Sequence, residues 1–336
     1  MKTIFFLGLV LLSNAFAECG KDVILSGYEL NSLQKNKLIY LHKKNGIYVN
    51  SKNVDIENHL FYKAQIDYSS HEKSDIGEYN KKYIEYYSYD RLNKFLNSNR
   101  SLFEANNYTV KEIGQSLQGR SLYAIMPSSI DIHKKTIIMF GRHHGDEGTA
   151  NWLIEGFLKS FFSQSIEFHD EFQLVLYPMI NPDGAELMSR FNSKGRDLNR
   201  SWNENVSKSF DEIKIINKDL KPKVKSLKNI PIVLDMHGSF TEDFIFRVKK
   251  RKFGRNYYNL QQTFIDQLGS YDKWQNGLYK PTNGHPSMAR IVLGKSYSLN
   301  TLTHETIRNI KKSKKRTLKD LFNQGVNILM TIKDLY

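Results

Sequence analysis

From about residue 76 onward the sequence predicts an α/β fold, with a small β-rich stretch in front of it. Three observations predict this. Short apolar, β-branched runs alternate with longer segments whose apolar residues recur at helical spacing. Several of the runs end in glycine or in polar residues of the metal-binding kind. A chain of 336 residues is also long enough to bury a large core without covalent staples.

The elements follow in order. Met1-Lys2-Thr3 leads into an uninterrupted apolar run, Ile4 to Leu12, and then into Ala15-Phe16-Ala17. This pattern predicts a signal peptide over residues 1–17, too short to span a bilayer, and therefore an exported bacterial protein, periplasmic or secreted. Glu18 ahead of Cys19 argues against lipoprotein processing. Cys19 is the only cysteine, so no internal disulfide framework is available. Residues 18–75 carry strand-like pieces, Lys37 to Leu41 and Gly46 to Val49, and end in the polar stretch Asp67 to Asp75. They read as an N-terminal extension or small subdomain.

Residues 76–336 then read as one catalytic domain. Tyr89 to Leu96 is a short amphipathic helix. Lys135 to Gly141, Phe172 to Tyr177, Ile230 to Asp235 and Ser298 to Thr303 are strand-like. Between the first two, Trp152, Leu153, Phe157, Leu158, Phe161 and Phe162 give Asn151 to Phe162 a helical spacing. Asn181-Pro182-Asp183-Gly184 is a turn, with proline presetting φ. Leu318, Leu321, Phe322, Ile328, Leu329 and Ile332 form the apolar face of a closing helix.

The formal net charge is +14, with local lysine runs such as Lys311 to Arg316. A solvated basic surface explains most of it. The functional reading is attraction to a polyanionic partner such as cell wall, acidic peptide or anionic membrane. No nucleic-acid-binding motif is present.

Two short segments carry the chemistry. Gly141-Arg142-His143-His144-Gly145-Asp146-Glu147 contains a His-x-x-Glu, and Leu234-Asp235-Met236-His237-Gly238 supplies a distal histidine. Two imidazoles and a carboxylate suit Zn²⁺ and leave a coordination position for water, which marks a hydrolytic site. A lone His-x-x-Glu arises easily by chance, but here both segments follow strand-like runs, where open α/β sheets place their sites. His143 and Asp146 share the spacing of His144 and Glu147, so the register stays open on these residues alone. A serine hydrolase ranks below the zinc reading, because Gly114 to Gly119 lacks the nucleophile-elbow spacing.

Several segments in order resemble the carboxypeptidase A-like zinc carboxypeptidases. They are Ser88-Tyr89-Asp90, Ile113 to Tyr123, the His144/Glu147 segment, Pro178 to Gly184, Gly195 to Arg200 with Trp202, Asp235 to Gly238, and Thr303-His304-Glu305. The match runs from about residue 85 to 310. The resemblance implies a mixed central β-sheet flanked by helices. It implies one Zn²⁺ per chain on His144, Glu147 and His237, which decides the register. It makes Glu305 the general base and gives Arg190 the oxyanion. Asn199 and Arg200 would grip the substrate's terminal carboxylate, and Asp197 would orient a ligand histidine. Arg120 would touch substrate further from the terminus, and Arg290 falls near the position that sets side-chain specificity. The expected function is a monomeric metallo-exopeptidase acting on the C-terminal peptide bond. The alternatives are a murein peptide amidase, suggested by the His-Gly-Asp-Glu wording, and a non-catalytic envelope-binding protein on the same scaffold. A substrate-capping tyrosine has no clear place, Tyr297 being nearest.

Overall fold

The computed structural model describes residues 22–25, 41–44, 47–50, 63–66, 87–203, 211–308 and 316–336. The signal-peptide stretch 1–17, most of the extension 18–75 and the lysine run 311–315 lie outside the described residues. In the extension, four short strands are described by their backbone. β1 (Asp22–Leu25) pairs in parallel with β4 (Lys63–Ile66), and β2 (Leu41–Lys44) pairs antiparallel with β3 (Ile47–Asn50).

The remaining strands form one eight-stranded mixed sheet. They are β5 (Tyr108–Gln115), β6 (Ser121–Pro127), β7 (Lys135–Gly141), β8 (Phe172–Tyr177), β9 (Ile232–Ser239), β10 (Phe244–Val248), β11 (Tyr279–Thr282) and β12 (Thr301–Ile307). Their order is β11-β10-β12-β9-β7-β8-β6-β5. The middle four, β12, β9, β7 and β8, run parallel to one another. Antiparallel pairing enters on both sides, at β10 and at β6. Parallel strands need both faces covered, and this explains the near-continuous apolar runs from which they are built.

Two apolar layers provide that cover. One contains helix α3 (Thr149–Phe162), with Trp152, Leu153, Phe157 and Phe161 buried, and the closing helix α10 (Leu318–Leu335). Helices α1 (Tyr89–Ser98) and α8 (Arg255–Tyr271) join the same layer through Leu92, Phe95, Phe264 and Leu268. The opposite layer holds α6 (Glu212–Ser226), α9 (Ala289–Ser296) and Trp202. Among the described residues, no helix is long and apolar enough to cross a membrane.

The chain leaves β7 for β8 on one side and returns to β9 on the other. The switch point of the sheet therefore lies between β7 and β9, and ligands bind beyond the carboxyl ends of strands at such a point. Three local expectations are corrected. His237 lies inside β9, because that strand continues to Ser239. The strand expected over Ser298 to Thr303 begins at Thr301 and runs through Glu305 to Ile307. The Asn181 turn opens a short helix, α5 (Pro182–Glu186), whose Gly184 N–H donates to Asn181 Oδ1 at 2.8 Å.

Candidate metal centre and active site

The site is built from three chain segments at the switch point. The first follows β7. Arg142 adopts a left-handed backbone with φ of 61° and is fully buried. Its guanidinium donates twice to the Gly145 carbonyl, at 2.9 and 2.7 Å, and once to Asn151 Oδ1 at 2.9 Å. This ties the loop to the start of α3. Gly145 packs so closely on the next turn that an added Cβ would lie 1.9 Å from the Gly184 carbonyl carbon. The second and third segments are neighbouring parallel strands, and their register sets His237 opposite Glu305.

His144, Glu147 and His237 converge. His144 Nδ1 lies 2.8 Å from Glu147 Oε1, His237 Nδ1 lies 2.8 Å from Glu147 Oε2, and the two Nδ1 atoms are 3.1 Å apart. All three side chains are buried, and their donor atoms fit a single ion. A second grouping, His143, Asp235 and His237, is as compact. It differs in that His143 Nε2 already accepts from the Trp202 indole N–H at 2.8 Å, while its Nδ1 faces Asp235 Oδ1 at 2.7 Å. The Nε2 of His143 is thus occupied, whereas its Nδ1 makes no well-formed hydrogen bond. Two imidazole nitrogens and one carboxylate are the donor set of a zinc site that keeps a position for water, so the residues present fit Zn²⁺.

The electrostatics match an ion-binding pocket. Burial raises the Glu147 carboxyl, but His144 and His237 outweigh it and hold the group well below the usual carboxylate range. Burial lowers His237, yet Asp235 and Glu147 carry it well above the ordinary imidazole value. Burial likewise opposes Asp197, and His144 and Arg190 pull it down regardless. Asp197 Oδ1 reaches His144 Nε2 at 3.2 Å. Arg190 forks onto Asp197 Oδ2 at 3.1 and 2.8 Å and brings Nη1 to 3.3 Å from His144 Nδ1. Glu305 behaves in the opposite way. Burial pushes its carboxyl up to about 7, and His237 only partly opposes this.

The other expected residues separate into two groups. Arg200 and Arg290 line one cavity of about 450 Å³, together with Phe246, Asn283, Gly284 and His285. Arg290 is 1 % exposed, and its Nε and Nη1 have no hydrogen-bond partner. Burial lowers it to about 10. Asn199, by contrast, is turned inward. Its Oδ1 accepts from the Ala289 N–H at 3.0 Å, and its Nδ2 lies 3.0 Å from His237 Nε2 and 3.4 Å from Asp235 Oδ2. Arg120 donates to buried Asp183 at 2.7 Å and to Gln118 at 2.8 Å, which joins the β5–β6 turn to α5. Tyr297 caps the C-terminus of α9.

Sequence reasoning passed over two contributors. Arg308 donates to the Asp146 carbonyl at 2.9 Å, pairs with its carboxylate at 2.6 Å and lies over the Phe240 ring at 3.6 Å. It pins the metal loop to the ends of β9 and β12. Asp235 sits between two histidine rings, and the i, i+2 spacing of Asp235 and His237 on one strand was the available signal.

A family model described as zinc carboxypeptidase matches residues 101–243. Human cytosolic carboxypeptidase 2 is 26% identical over 240 residues, which covers 66% of this chain and 26% of that protein. The Xenopus tropicalis protein of the same name is 24% identical over 270 residues, covering 74% and 28%. The chain thus spans about a quarter of the length of these curated relatives. Among solved structures, a metallo-carboxypeptidase from Burkholderia cenocepacia superposes with a TM-score of 0.61 at 18% identity, covering 74% of this chain and 68% of that one. One from Pseudomonas aeruginosa gives 0.62 at 19%, covering 74% and 69%. These two show a shared fold. The comparisons correct the expectation of a periplasmic or secreted protein. The curated relatives are named cytosolic carboxypeptidases, and residues 1–17 lie outside the described residues. The ordered motifs, the matched family and the shared fold agree, and residues 101–243 are the part of the chain that is similar to the zinc carboxypeptidases.

Proposed function

We propose that this chain is a zinc-dependent metallo-exopeptidase that removes the C-terminal residue of peptides and favours an acidic or otherwise carboxylate-bearing one. The observation that carries the reading is a buried, poorly solvated carboxyl, Glu305, set in register beside ligand His237 and within one strand of a cavity holding two guanidinium groups.

His144, Glu147 and His237 would hold the metal. When bound, zinc acts as a Lewis acid toward a carbonyl and brings the pKa of a water to about 7. Glu305 takes the proton from the attacking water and returns it to the departing amine. A carboxyl raised toward neutrality is suited to both directions of that transfer. Arg190 is held by Asp197 beside His144, and its charged fork stabilises the negative charge that develops on the scissile carbonyl oxygen. Asp197 also orients the His144 ring. Arg200 receives the substrate's terminal carboxylate, with Asn199 fixing the backbone beneath it and Arg120 further along the chain.

Arg290 supports the side-chain preference. A buried guanidinium with unpartnered nitrogens at the wall of an open cavity lacks an anion, and a substrate carboxylate would supply one. A charged hydrogen bond of about 1.5–3 kcal/mol predicts a roughly ten- to hundredfold preference for a C-terminal Glu over Leu. Arg290→Leu should erase or invert that ranking in kcat/KM. An unchanged ranking would take Arg290 out of specificity. A murein amidase cutting D-glutamyl–diaminopimelate bonds would use the same residues, but it loses ground with the expectation of export. The function is tested by mass spectrometry of products from a mixed peptide and muropeptide library, with and without chelator. Single-residue losses from free C-termini, abolished by the chelator, are expected. Internal cleavage, or cleavage indifferent to the chelator, would overturn the reading.

A further inference from the structure

We propose that the cavity lined by Arg200 and Arg290 opens into a basic annex formed by Lys249, Arg251 and Lys252, and that the annex receives an anionic group at the far end of a long side chain on the departing C-terminal residue. The proposal rests on the reading of the chain as a metallo-exopeptidase with Arg290 in the wall of its side-chain cavity. The backbone sets the direction. Strand β10 pairs antiparallel with β12, with Phe244 opposite Glu305 and Phe246 opposite Thr303, so it leads away from the catalytic carboxyl. Phe246 lines the cavity, and the Arg290 guanidinium carbon lies 5.4 Å from its ring centroid. Lys249 follows the end of the strand, about 16 Å along the chain from Phe244 at the usual rise per residue. On the other side β10 pairs in parallel with β11, and Val248 sits opposite Thr282. The two strands therefore end side by side. The next residues, Lys249 and Asn283, line both the cavity of about 450 Å³ and a second one of about 600 Å³. Arg251 and Lys252 complete the second.

The annex has cations and no counter-charge. Among the described residues, no carboxylate lines either cavity. Between Phe244 and Asn300 the only acids are Asp266 and Asp272, and they accept from Gln262 and Gln324 instead. Lys252 Nζ donates to the Asn283 carbonyl at 2.6 Å. This fastens α7 (Lys250–Phe253) to the turn after β11 and leaves two ammonium N–H groups for a ligand. Partial burial, with the like charges of Lys295 and Arg290, lowers the Lys252 ammonium from its ordinary value. A bound anion would offset that repulsion. Gly284 keeps the passage between the cavities wide. Its φ is 64°, and an added Cβ would lie 2.7 Å from Ile291 Cγ1 and 3.3 Å from Arg290 Nη2. The upstream part of a substrate lies across the scissile bond, so only the departing residue can extend past Arg290. A glutamate side chain ends at that guanidinium. A longer one that ends in a carboxylate continues to Lys249 and Lys252.

The test compares peptides that differ only in the departing residue. One ends in Nε-succinyl-lysine, whose side chain carries a terminal carboxylate. Its control ends in Nε-succinamyl-lysine, the neutral amide of nearly the same shape. In wild type, kcat/KM for the succinyl peptide should exceed that for the succinamyl peptide by about five- to tenfold. The ratio should fall to within about twofold of unity in the Lys249→Gln/Lys252→Gln double variant and persist in Lys252→Arg, which keeps the charge. A wild-type ratio near unity would overturn the proposal. So would a ratio that survives in the double variant, because Arg290 alone would then be holding the carboxylate. A third peptide, ending in glutamate, separates the annex from the reading beneath it. Release of glutamate with neither modified lysine would show the cavity closed beyond Arg290 and overturn the annex alone. Release of no C-terminal residue from any of the three would overturn the exopeptidase reading as well.

Discussion

Burial of Glu305 has two consequences at the scale of one side chain. The first is catalytic. Glu305→Gln keeps the shape and loses the base, so zinc content and fold should persist while kcat falls by at least about a hundredfold. Near wild-type turnover would show that another group handles the proton. The second is a stability effect of known sign. The carboxyl is lifted from 4.5 to about 7 in the folded chain, chiefly by burial. A group raised in this way contributes its full stability below the unfolded value and loses it as pH climbs through the folded one. In chelator-treated protein, Glu305→Gln should therefore melt close to wild type below about pH 5 and increasingly above it as pH rises toward 7, with the difference levelling off beyond. Melting curves that stay superimposed from pH 5 to 8 would contradict the assignment. At this scale the sequence was informative about donors. His144, Glu147, His237, Asp197 and Arg190 come together, as their ordered motifs led one to expect. It was uninformative about which way an amide faces: Asn199 and Arg200 are adjacent in sequence, yet one is buried inward and the other lines the cavity.

At the scale of elements, close packing of backbones holds the ligand loops. The His144 to Glu147 loop is wedged between α5 and β9, and Gly145 is the contact point with Gly184. Gly145→Ala should cost about 3 kcal/mol or more through overpacking, and it should weaken zinc binding in step. A variant with unchanged melting temperature and affinity would mean that the wedge does not constrain the site. Strands β7 and β8 and helices α1, α3 and α10 were legible because apolar periodicity is a local property. The ends of β9 and β12 were not. His237 and Glu305 are polar residues inside buried strands, and no local pattern shows that paired neighbours will satisfy the backbone there. Arg308 was missed for a similar reason, since its partner Asp146 is distant in sequence.

For the whole molecule, the three residues proposed as ligands come from one loop and one strand about ninety residues apart in sequence, so an ion bound to them stabilises the fold that brings them together. Zinc at a hundredfold excess over its dissociation constant should add about 2.7 kcal/mol, seen as a rise in melting temperature that chelator reverses. A melting temperature indifferent to zinc would mean that the native chain does not bind it. The mixed sheet was legible through the family resemblance, whereas the expectation of export came from the terminus alone and is corrected by the relatives. The central claim is that the site recognises a free C-terminal carboxylate beside the bond it cuts. It is tested most directly by comparing kcat/KM for one peptide ending in glutamate with kcat/KM for the same peptide amidated at its C-terminus. The account predicts that amidation lowers the value by at least about tenfold, because it leaves the Arg200 guanidinium without its anion. Equal rates for the two peptides would contradict it.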